Sequence, residues 1–291
     1  MKIATSAYPI SWLSSWDDYV QKLSSWVKDA REHGAEMLVF PEYAAMELAS
    51  LEGEDAAIDR LGAMAAVKKH FPNFVKLHMQ LAKHYGVHIL SGSAPIKDQD
   101  IYVNRTGLFT PTGHVGWQDK QIMTRFERED WKVASGGPLH VFDTAIGRIG
   151  VLICYDSEFP LLGRALSDVD VLLVPSCTEA QSGYWRVRIG SMARALETQC
   201  VVAMASLLSD DARFYGVDEA TGMGAIFCPP DKGFPESGVL SAGDMGKAGW
   251  TYGTADLNQI AEVRKDGVVL NRNHWSEQIP RSMVPSKVTL T

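Results

Sequence analysis

Apolar runs of strand length alternate with amphipathic helical stretches along most of this 291-residue chain. Residues 2–7 form a strand-like run, and an apolar stripe at helical spacing follows over residues 16–30. Ser15 with Asp18 three residues later predicts the start of that helix, and a short buried strand at 37–40 comes next. This alternation constrains the fold more than any other feature, and it predicts an α/β layer architecture.

The segment that follows this short strand has a less regular pattern. Residues 44–70 are irregular, and a helix is predicted from Pro72 to Gly86, because proline favours helix starts and glycine favours helix ends. Residues 258–291 show little periodicity and are predicted to form a C-terminal arm. No repeat or linker divides the chain, so residues 1–291 are predicted to be a single domain.

Composition narrows the range of partners. The formal charge is −7, from 35 acidic and 28 basic residues, which argues against a nucleic-acid partner because phosphate binding needs a basic face. Polar residues and a proline interrupt the N-terminal segment, so no signal peptide is predicted. No apolar run reaches the roughly 18 residues of a spanning helix. We therefore expect a cytoplasmic protein with no membrane partner.

The four cysteines, at positions 154, 177, 200 and 228, lie far apart and include no C-x-x-C pair. Such thiols are expected to stay free in a reducing compartment. No zinc-type spacing of Cys and His occurs, and neither a P-loop nor a G-x-G-x-x-G pattern is present. The sequence therefore predicts no metal and no cofactor. A serine hydrolase is disfavoured because there is no G-x-S-x-G elbow.

Three reactive residue types follow predicted strands. Glu42 comes after a buried strand and a proline, Lys120 follows a hairpin, and Cys154 ends an apolar run. A thiol needs a base or a nearby cation to become nucleophilic, and a carboxylate can take its proton. An ammonium can stabilise the negative charge of a tetrahedral intermediate. From position alone, a cysteine that ends a core strand is more often a small buried hydrophobic residue than a nucleophile, and Cys177 is a rival nucleophile.

Three segments together resemble one family. Val39-Phe-Pro-Glu42, Asp119-Lys120 and the segment 150–156, Gly-Val-Leu-Ile-Cys-Tyr-Asp, are similar in order and spacing to the signature regions of the nitrilase superfamily of carbon–nitrogen hydrolases. The resemblance extends from the first strand to about residue 275. It implies a four-layer α-β-β-α sandwich that pairs as a homodimer through the helices after the nucleophile and around 185–199.

The resemblance also implies a role for each site residue. Glu42 would be the general base, Lys120 would bind the substrate and stabilise the oxyanion, and Cys154 would be the acylated nucleophile. The backbone N–H of Tyr155 would complete the oxyanion hole. A second, supporting glutamate of the family is assigned to Glu129, with Glu127 as the alternative.

Specificity depends on the residues beside the nucleophile. Cys154-Tyr-Asp156 is similar to the amidase branches, whereas nitrile-cleaving branches usually have Cys-Trp-Glu, so an amide substrate is favoured. Many amidase-branch members have Arg four residues past the cysteine. Here Glu158 stands instead, which favours a neutral or cationic amide unless Glu158 pairs with an arginine such as Arg164.

The predicted substrate-binding residues are Tyr43, Glu158, Glu179 and Trp185. The predicted function is hydrolysis of a small-molecule amide through a thioester acyl-enzyme, releasing ammonia or an amine and a carboxylic acid. The alternatives are acyl transfer from the same intermediate, nitrile hydrolysis, and a non-catalytic oligomeric scaffold.

Overall fold

One curled, mixed β-sheet runs through the molecule in a computed structural model that describes residues 1–281 and 284–290. The strands in this part of the chain are β1 Lys2–Pro9, β2 Met37–Val39, β3 His88–Leu90, β4 Ala94–Asp98, β5 Ile101–Phe109, β6 Val115–Asp119, β7 Val133–Ala134, β8 Phe142–Thr144, β9 Gly147–Val151, β10 Val171–Ser176, β11 Val201–Asp210, β12 Glu219–Ala220, β13 Ala225–Phe227, β14 Val239–Ala242 and β15 Gly249–Thr254. The α-helices are α1 Trp16–Glu32, α2 Glu54–Ile58, α3 Arg60–Tyr85, α4 Pro160–Ala165, α5 Gln181–Thr198, α6 Leu257–Asp266 and α7 Asn271–His274.

The main path of the sheet has the order β4-β5-β3-β2-β1-β11-β10-β9-β8. Strand β1 lies at its centre, parallel to β2 and β11 and also antiparallel to β15. Strands β9 and β10 continue the parallel set beyond β11. Such strands are buried on both faces, which explains why β10 reads as a continuous apolar run.

Side chains of the central strands alternate between two hydrophobic clusters. Ala4 and Leu38 face one cluster, which helices α1 and α3 cover. Ile3 and Val39 face the other cluster, which contains β9, β10 and β11 and which helix α5 covers. This alternation follows from the two-residue period of a strand. A curled sheet with helices on both sides is consistent with the predicted four-layer α-β-β-α sandwich.

Several predicted boundaries differ from those in the structure. Helix α3 begins at Arg60, where the Asp59 side chain accepts a hydrogen bond from the Gly62 N–H, so Pro72 lies inside the helix and not at its start. The predicted arm contains helix α6, which buries Ile260 and Val263. None of the helices in the described part of the chain has the length and apolar character that a membrane span requires.

Candidate active site

Glu42, Lys120 and Cys154 meet at one edge of the sheet. Glu42 follows β2, Lys120 follows β6 and Cys154 follows β9. Strands β2 and β9 belong to the parallel set, and β6 runs in the same direction because β5 is antiparallel to both β3 and β6. Their carboxyl ends therefore lie together, at the edge where α/β proteins usually bind ligands.

A buried ion cluster forms the floor of the site. The Lys120 ammonium donates to Glu42 Oε1 at 2.8 Å and to Glu127 Oε2 at 2.6 Å. Asn104 Nδ2 also donates to Glu42 Oε1, at 2.9 Å. The Lys120 side chain is 1% exposed. Buried charges are tolerated only when they are paired and hydrogen-bonded, and each of these has both kinds of partner. The cluster is therefore held in one arrangement.

The environment separates the pKa values of the two carboxyl groups. Burial raises the pKa of Glu42, and the charge of Lys120 does not fully oppose it. Burial also acts on Glu127, but Lys120 and hydrogen bonds from Tyr43 and Thr124 outweigh it, so the pKa of Glu127 lies below its ordinary value. When two neighbouring carboxyl groups differ in this way, the one with the raised pKa is suited to carry protons. Glu42 therefore fits a general base, and Glu127 fits a permanent anion.

The assignment of the second glutamate to Glu129 is wrong, because Glu127 occupies that place. Glu127 is 3% exposed and accepts a hydrogen bond from the Tyr43 hydroxyl at 2.6 Å. The Glu129 side chain is 61% exposed and pairs with Arg125 at 2.8 Å. Residues two apart on a helical turn face different directions, so only one of the two can reach Lys120.

A local signal could have identified Glu127. Thr124-Arg-Phe-Glu127 is a capping box. The Thr124 N–H donates to Glu127 Oε2 at 2.8 Å, and the Glu127 N–H donates to Thr124 Oγ1 at 3.3 Å. This reciprocal pair fixes the direction of the Glu127 side chain, which turns its carboxylate inward.

Cys154 begins a tight 3-10 turn that is separated from β9 by Leu152 and Ile153, so it does not end the strand. Its φ of 49° lies in the left-handed region, which non-glycine residues adopt rarely and mostly at functional sites. The thiol is 5% exposed and lies 3.6 Å from the Cys177 carbonyl oxygen. Burial and the charge of Glu42 raise the pKa of Cys154 well above its ordinary value. The thiol is therefore protonated at neutral pH and needs a base before it can attack.

Tyr155 lies in the lining of the cavity next to the thiol. Its backbone N–H belongs to the first turn of the 3-10 segment, where N–H groups have no acceptor within the helix. Such a group can donate to a developing oxyanion. The geometry is thus compatible with the oxyanion role predicted for Tyr155.

The Asp156 carboxylate joins two segments of the site. It accepts hydrogen bonds from the backbone N–H of Gln121 at 3.1 Å, of Ile122 at 2.8 Å and of Ile153 at 3.2 Å. The first two residues follow Lys120, and the third precedes Cys154. Asp156 therefore fixes the position of the lysine segment relative to the nucleophile segment.

A cavity of about 540 Å³ opens above the ion cluster. Its floor contains Glu42, Lys120, Glu127 and Cys154, and its wall and mouth include Glu158, Glu179, Arg186, Asp218 and Glu219. Within residues 1–281 and 284–290, no group of three or more His, Cys, Asp or Glu side chains could hold a metal ion. The arrangement offers a nucleophile, a base, a cation and backbone donors, which together suit acyl transfer from a carbonyl compound.

Three of the four predicted substrate-binding residues line this cavity. Tyr43 forms part of the wall and also supports Glu127 through its hydroxyl. Glu158 lies 3.5 Å from Arg186 Nε, so its partner is not Arg164. Glu179 lies in the loop after β10 and is exposed at the mouth.

Trp185, the fourth, lies outside the cavity, so that prediction is wrong. The residues of α5 that line the cavity are Ser182, Gly183, Arg186 and Val187, which share one face of the helix. Trp185 lies on the outer face and is 46% exposed. A helix turns by about 100° per residue, so the neighbour of a lining residue can point to solvent.

Sequence reasoning missed five charged or aromatic residues of the lining, besides several small or uncharged ones. Phe126 and Trp131 form an aromatic wall with Tyr43, and Arg186, Asp218 and Glu219 stand at the mouth. The helical spacing from Gly183 could have indicated Arg186. We find no sequence signal for Asp218 and Glu219, which arrive from the distant β11–β12 hairpin.

Comparison with known proteins identifies the protein family that the chain matches. A carbon–nitrogen hydrolase model matches residues 2–216. Probable hydrolase YhcX of Bacillus subtilis is 28% identical over 272 residues, covering 92% of this chain and 52% of that protein, so the chain spans about half of its length. Omega-amidase NIT2-B of Xenopus laevis is 25% identical over 272 residues, covering 85% of this chain and 86% of that protein.

Solved structures share the fold. Saccharomyces cerevisiae Nit3, a member of the nitrilase superfamily, matches with a TM-score of 0.71 at 17% identity, covering 94% of this chain and 96% of that one. A mutant amidase from Nesterenkonia sp. AN1, with acrylamide added at its active-site cysteine, matches with a TM-score of 0.64 at 19% identity, covering 94% and 99%.

Proposed function

The chain belongs to the carbon–nitrogen hydrolase family of the nitrilase superfamily, and on that basis we propose that it hydrolyses a linear, non-peptide amide. The proposed intermediate is a thioester on Cys154. The observation that carries the proposal is the convergence of a buried thiol, a carboxyl group of raised pKa and a paired ammonium in one cavity. The omega-amidase relatives and the segment Cys154-Tyr-Asp156, which is similar to the amidase branches, support an amide substrate.

The first half of the proposed reaction forms the acyl-enzyme. The Glu42 carboxylate takes the thiol proton, and Cys154 Sγ attacks the amide carbonyl carbon. Lys120 and the Tyr155 N–H stabilise the oxyanion. The carbon–nitrogen bond then breaks as Glu42 returns the proton to the departing amine or ammonia.

The second half releases the acid. Glu42 takes a proton from a water molecule, and the resulting hydroxide attacks the thioester carbonyl. The carbon–sulfur bond breaks, Cys154 leaves as the thiolate, and Glu42 gives the proton back to the sulfur. Proton transfer by one carboxyl group in both halves requires a pKa closer to neutrality than usual, and the raised pKa of Glu42 supports this role.

Ammonia release from a panel of small amides, carbamoyl compounds and nitriles tests the proposal. We expect at least one primary amide to be cleaved and the rate to fall to background in Cys154→Ala. Cleavage of nitriles alone would contradict the amide assignment. Product that appears only with an added amine acceptor would indicate acyl transfer instead of hydrolysis. A folded protein that cleaves nothing in the panel would favour the scaffold alternative.

We also propose that two copies pair through α4 and α5. Leu161 in α4 and Ile189 in α5 are 76% and 66% exposed, and Trp185 extends this apolar surface. Monomers rarely expose large contiguous apolar patches. Ile189→Asp is expected to convert a dimer into a monomer in light-scattering measurements of molar mass, whereas Val268→Asp, outside both helices, should not. A wild-type protein that is monomeric at micromolar concentration would contradict the pairing.

A further inference from the structure

The mouth of the cavity is strongly acidic. Six carboxyl groups line the cavity, whereas its cationic side chains are Lys120 and Arg186. Lys120 is occupied by Glu42 and Glu127 on the floor. At the mouth, Arg186 faces Glu158 at 3.5 Å. The remaining carboxylates therefore set the charge that an arriving substrate meets.

Three mouth carboxylates lack a cationic partner. In the part of the chain that the structure describes, no ion pair neutralises Glu179, Asp218 or Glu219. They stand on two neighbouring segments, since the Thr221 N–H donates to the Thr178 carbonyl at 2.9 Å. Carboxylates of one sign around a concave opening reinforce one another and raise the local concentration of cations.

The wall between floor and mouth is aromatic. Tyr43 and Trp131 have ring centroids 4.6 Å apart, and Phe126 lies 6.0 Å from Trp131 and is 49% exposed. Aromatic faces bind both methylene chains and ammonium groups.

The indole N–H of Trp131, in the aromatic wall, is a buried donor. Trp131 is 1% exposed, and its N–H has no hydrogen-bond partner among the described residues. Buried donors are nearly always satisfied, so this N–H is expected to be completed by a bound molecule or by an ordered water.

We infer that the substrate class is an ω-amino amide, with its amide at Cys154, its methylene chain along the aromatic wall and its ammonium at Glu179, Asp218 and Glu219. This inference rests on the proposed function and extends it. The sequence predicts that Glu158 selects the charge of the substrate. Because Arg186 faces that carboxylate, we assign this selection to Glu179, Asp218 and Glu219 instead. The negative charge of these three carboxylates disfavours substrates with a terminal carboxylate.

Three primary amides of similar length test the inference: δ-aminovaleramide, which is cationic, hexanamide, which is neutral, and glutaramate, which is anionic. We expect kcat/KM for δ-aminovaleramide to exceed that for glutaramate by at least about tenfold, within the range that such fields produce. Added salt should reduce this ratio because it screens exposed charges.

Matched variants locate the effect. Replacing the three carboxylates together, as Glu179→Gln, Asp218→Asn and Glu219→Gln, is expected to remove most of the preference for the cation. The control replaces three exposed carboxylates outside the cavity, as Glu32→Gln, Glu262→Gln and Asp266→Asn, and should retain the preference at the same net charge.

The variant Arg186→Gln distinguishes a mouth that binds a cationic substrate from one in which Arg186 binds an anionic substrate. It is expected to increase the preference for δ-aminovaleramide, because it leaves Glu158 unpaired. Loss of glutaramate cleavage in this variant, without a gain for the cation, would show that Arg186 binds an anionic substrate and would overturn the inference.

Failure of the inference is distinguishable from failure of the proposed function. Equal or faster cleavage of glutaramate in the wild type, dependent on Cys154, would overturn the substrate class and leave the amidase proposal standing. So would cleavage of other amides without cleavage of δ-aminovaleramide. Absence of Cys154-dependent ammonia release from every amide would contradict both.

Discussion

Glu42→Gln is expected to lower kcat/KM for amide hydrolysis by roughly 10²–10⁴-fold, the usual contribution of a positioned general base. The amide keeps an oxygen for Lys120 and Asn104, which contact Glu42 Oε1 at 2.8 and 2.9 Å. It cannot accept the thiol proton at neutral pH. Single-substrate kinetics with the best amide of the panel would measure the loss.

The same variant should change the thiol in the opposite direction. The charge of Glu42 helps to raise the pKa of Cys154, whereas Lys120 lowers it. Removing the carboxylate charge is therefore expected to lower the pKa of Cys154 even as hydrolysis falls. Thiolate ultraviolet absorbance, with Cys154→Ala as the blank, would follow this titration. A raised thiol pKa in Glu42→Gln, or unchanged hydrolysis, would contradict the assignment of Glu42 as the base.

Glu127→Gln and Glu129→Gln are expected to differ sharply, although the two residues are two positions apart. Glu127 is buried and binds Lys120 at 2.6 Å, so removing its charge should destabilise the fold by about 3 kcal/mol, near the lower end for a broken buried pair. The Lys120 side chain is then less firmly placed, and a misplacement of about 1 Å can reduce the rate roughly 10²-fold. Urea unfolding midpoints and kcat would measure the two effects.

Glu129→Gln provides the control. Its side chain is 61% exposed in an i,i+4 pair with Arg125, and such pairs contribute only about 0.3–0.5 kcal/mol. Its activity should be close to that of the wild type. Equal losses in the two variants would refute the placement of Glu127 as the supporting carboxylate.

The family fold and the three central residues could be predicted from the sequence because their signals are local. Strand and helix periodicities identified the layers, and the motifs around Glu42, Lys120 and Cys154 each lie within a few residues. The carboxyl ends of parallel strands meet at one edge, so residues far apart in the chain could be expected together. Residue types and their order were sufficient for this step.

The direction of individual side chains was decided by the tertiary structure. The turn after Phe126 directs Glu127 inward and Glu129 to solvent, and the phase of α5 directs Arg186 into the cavity and Trp185 outward. These choices depend on how one segment packs against others, which short-range sequence patterns do not specify.

The acidic mouth depended on the tertiary structure most of all. Asp218 and Glu219 lie in a hairpin that reaches the cavity only because β11 pairs with β12 beside the loop that contains Glu179. Chemistry on the floor of the site was therefore determined by sequence motifs. The charge at the mouth of the cavity was determined by contacts between distant segments, because electrostatic fields add in space and not along the chain.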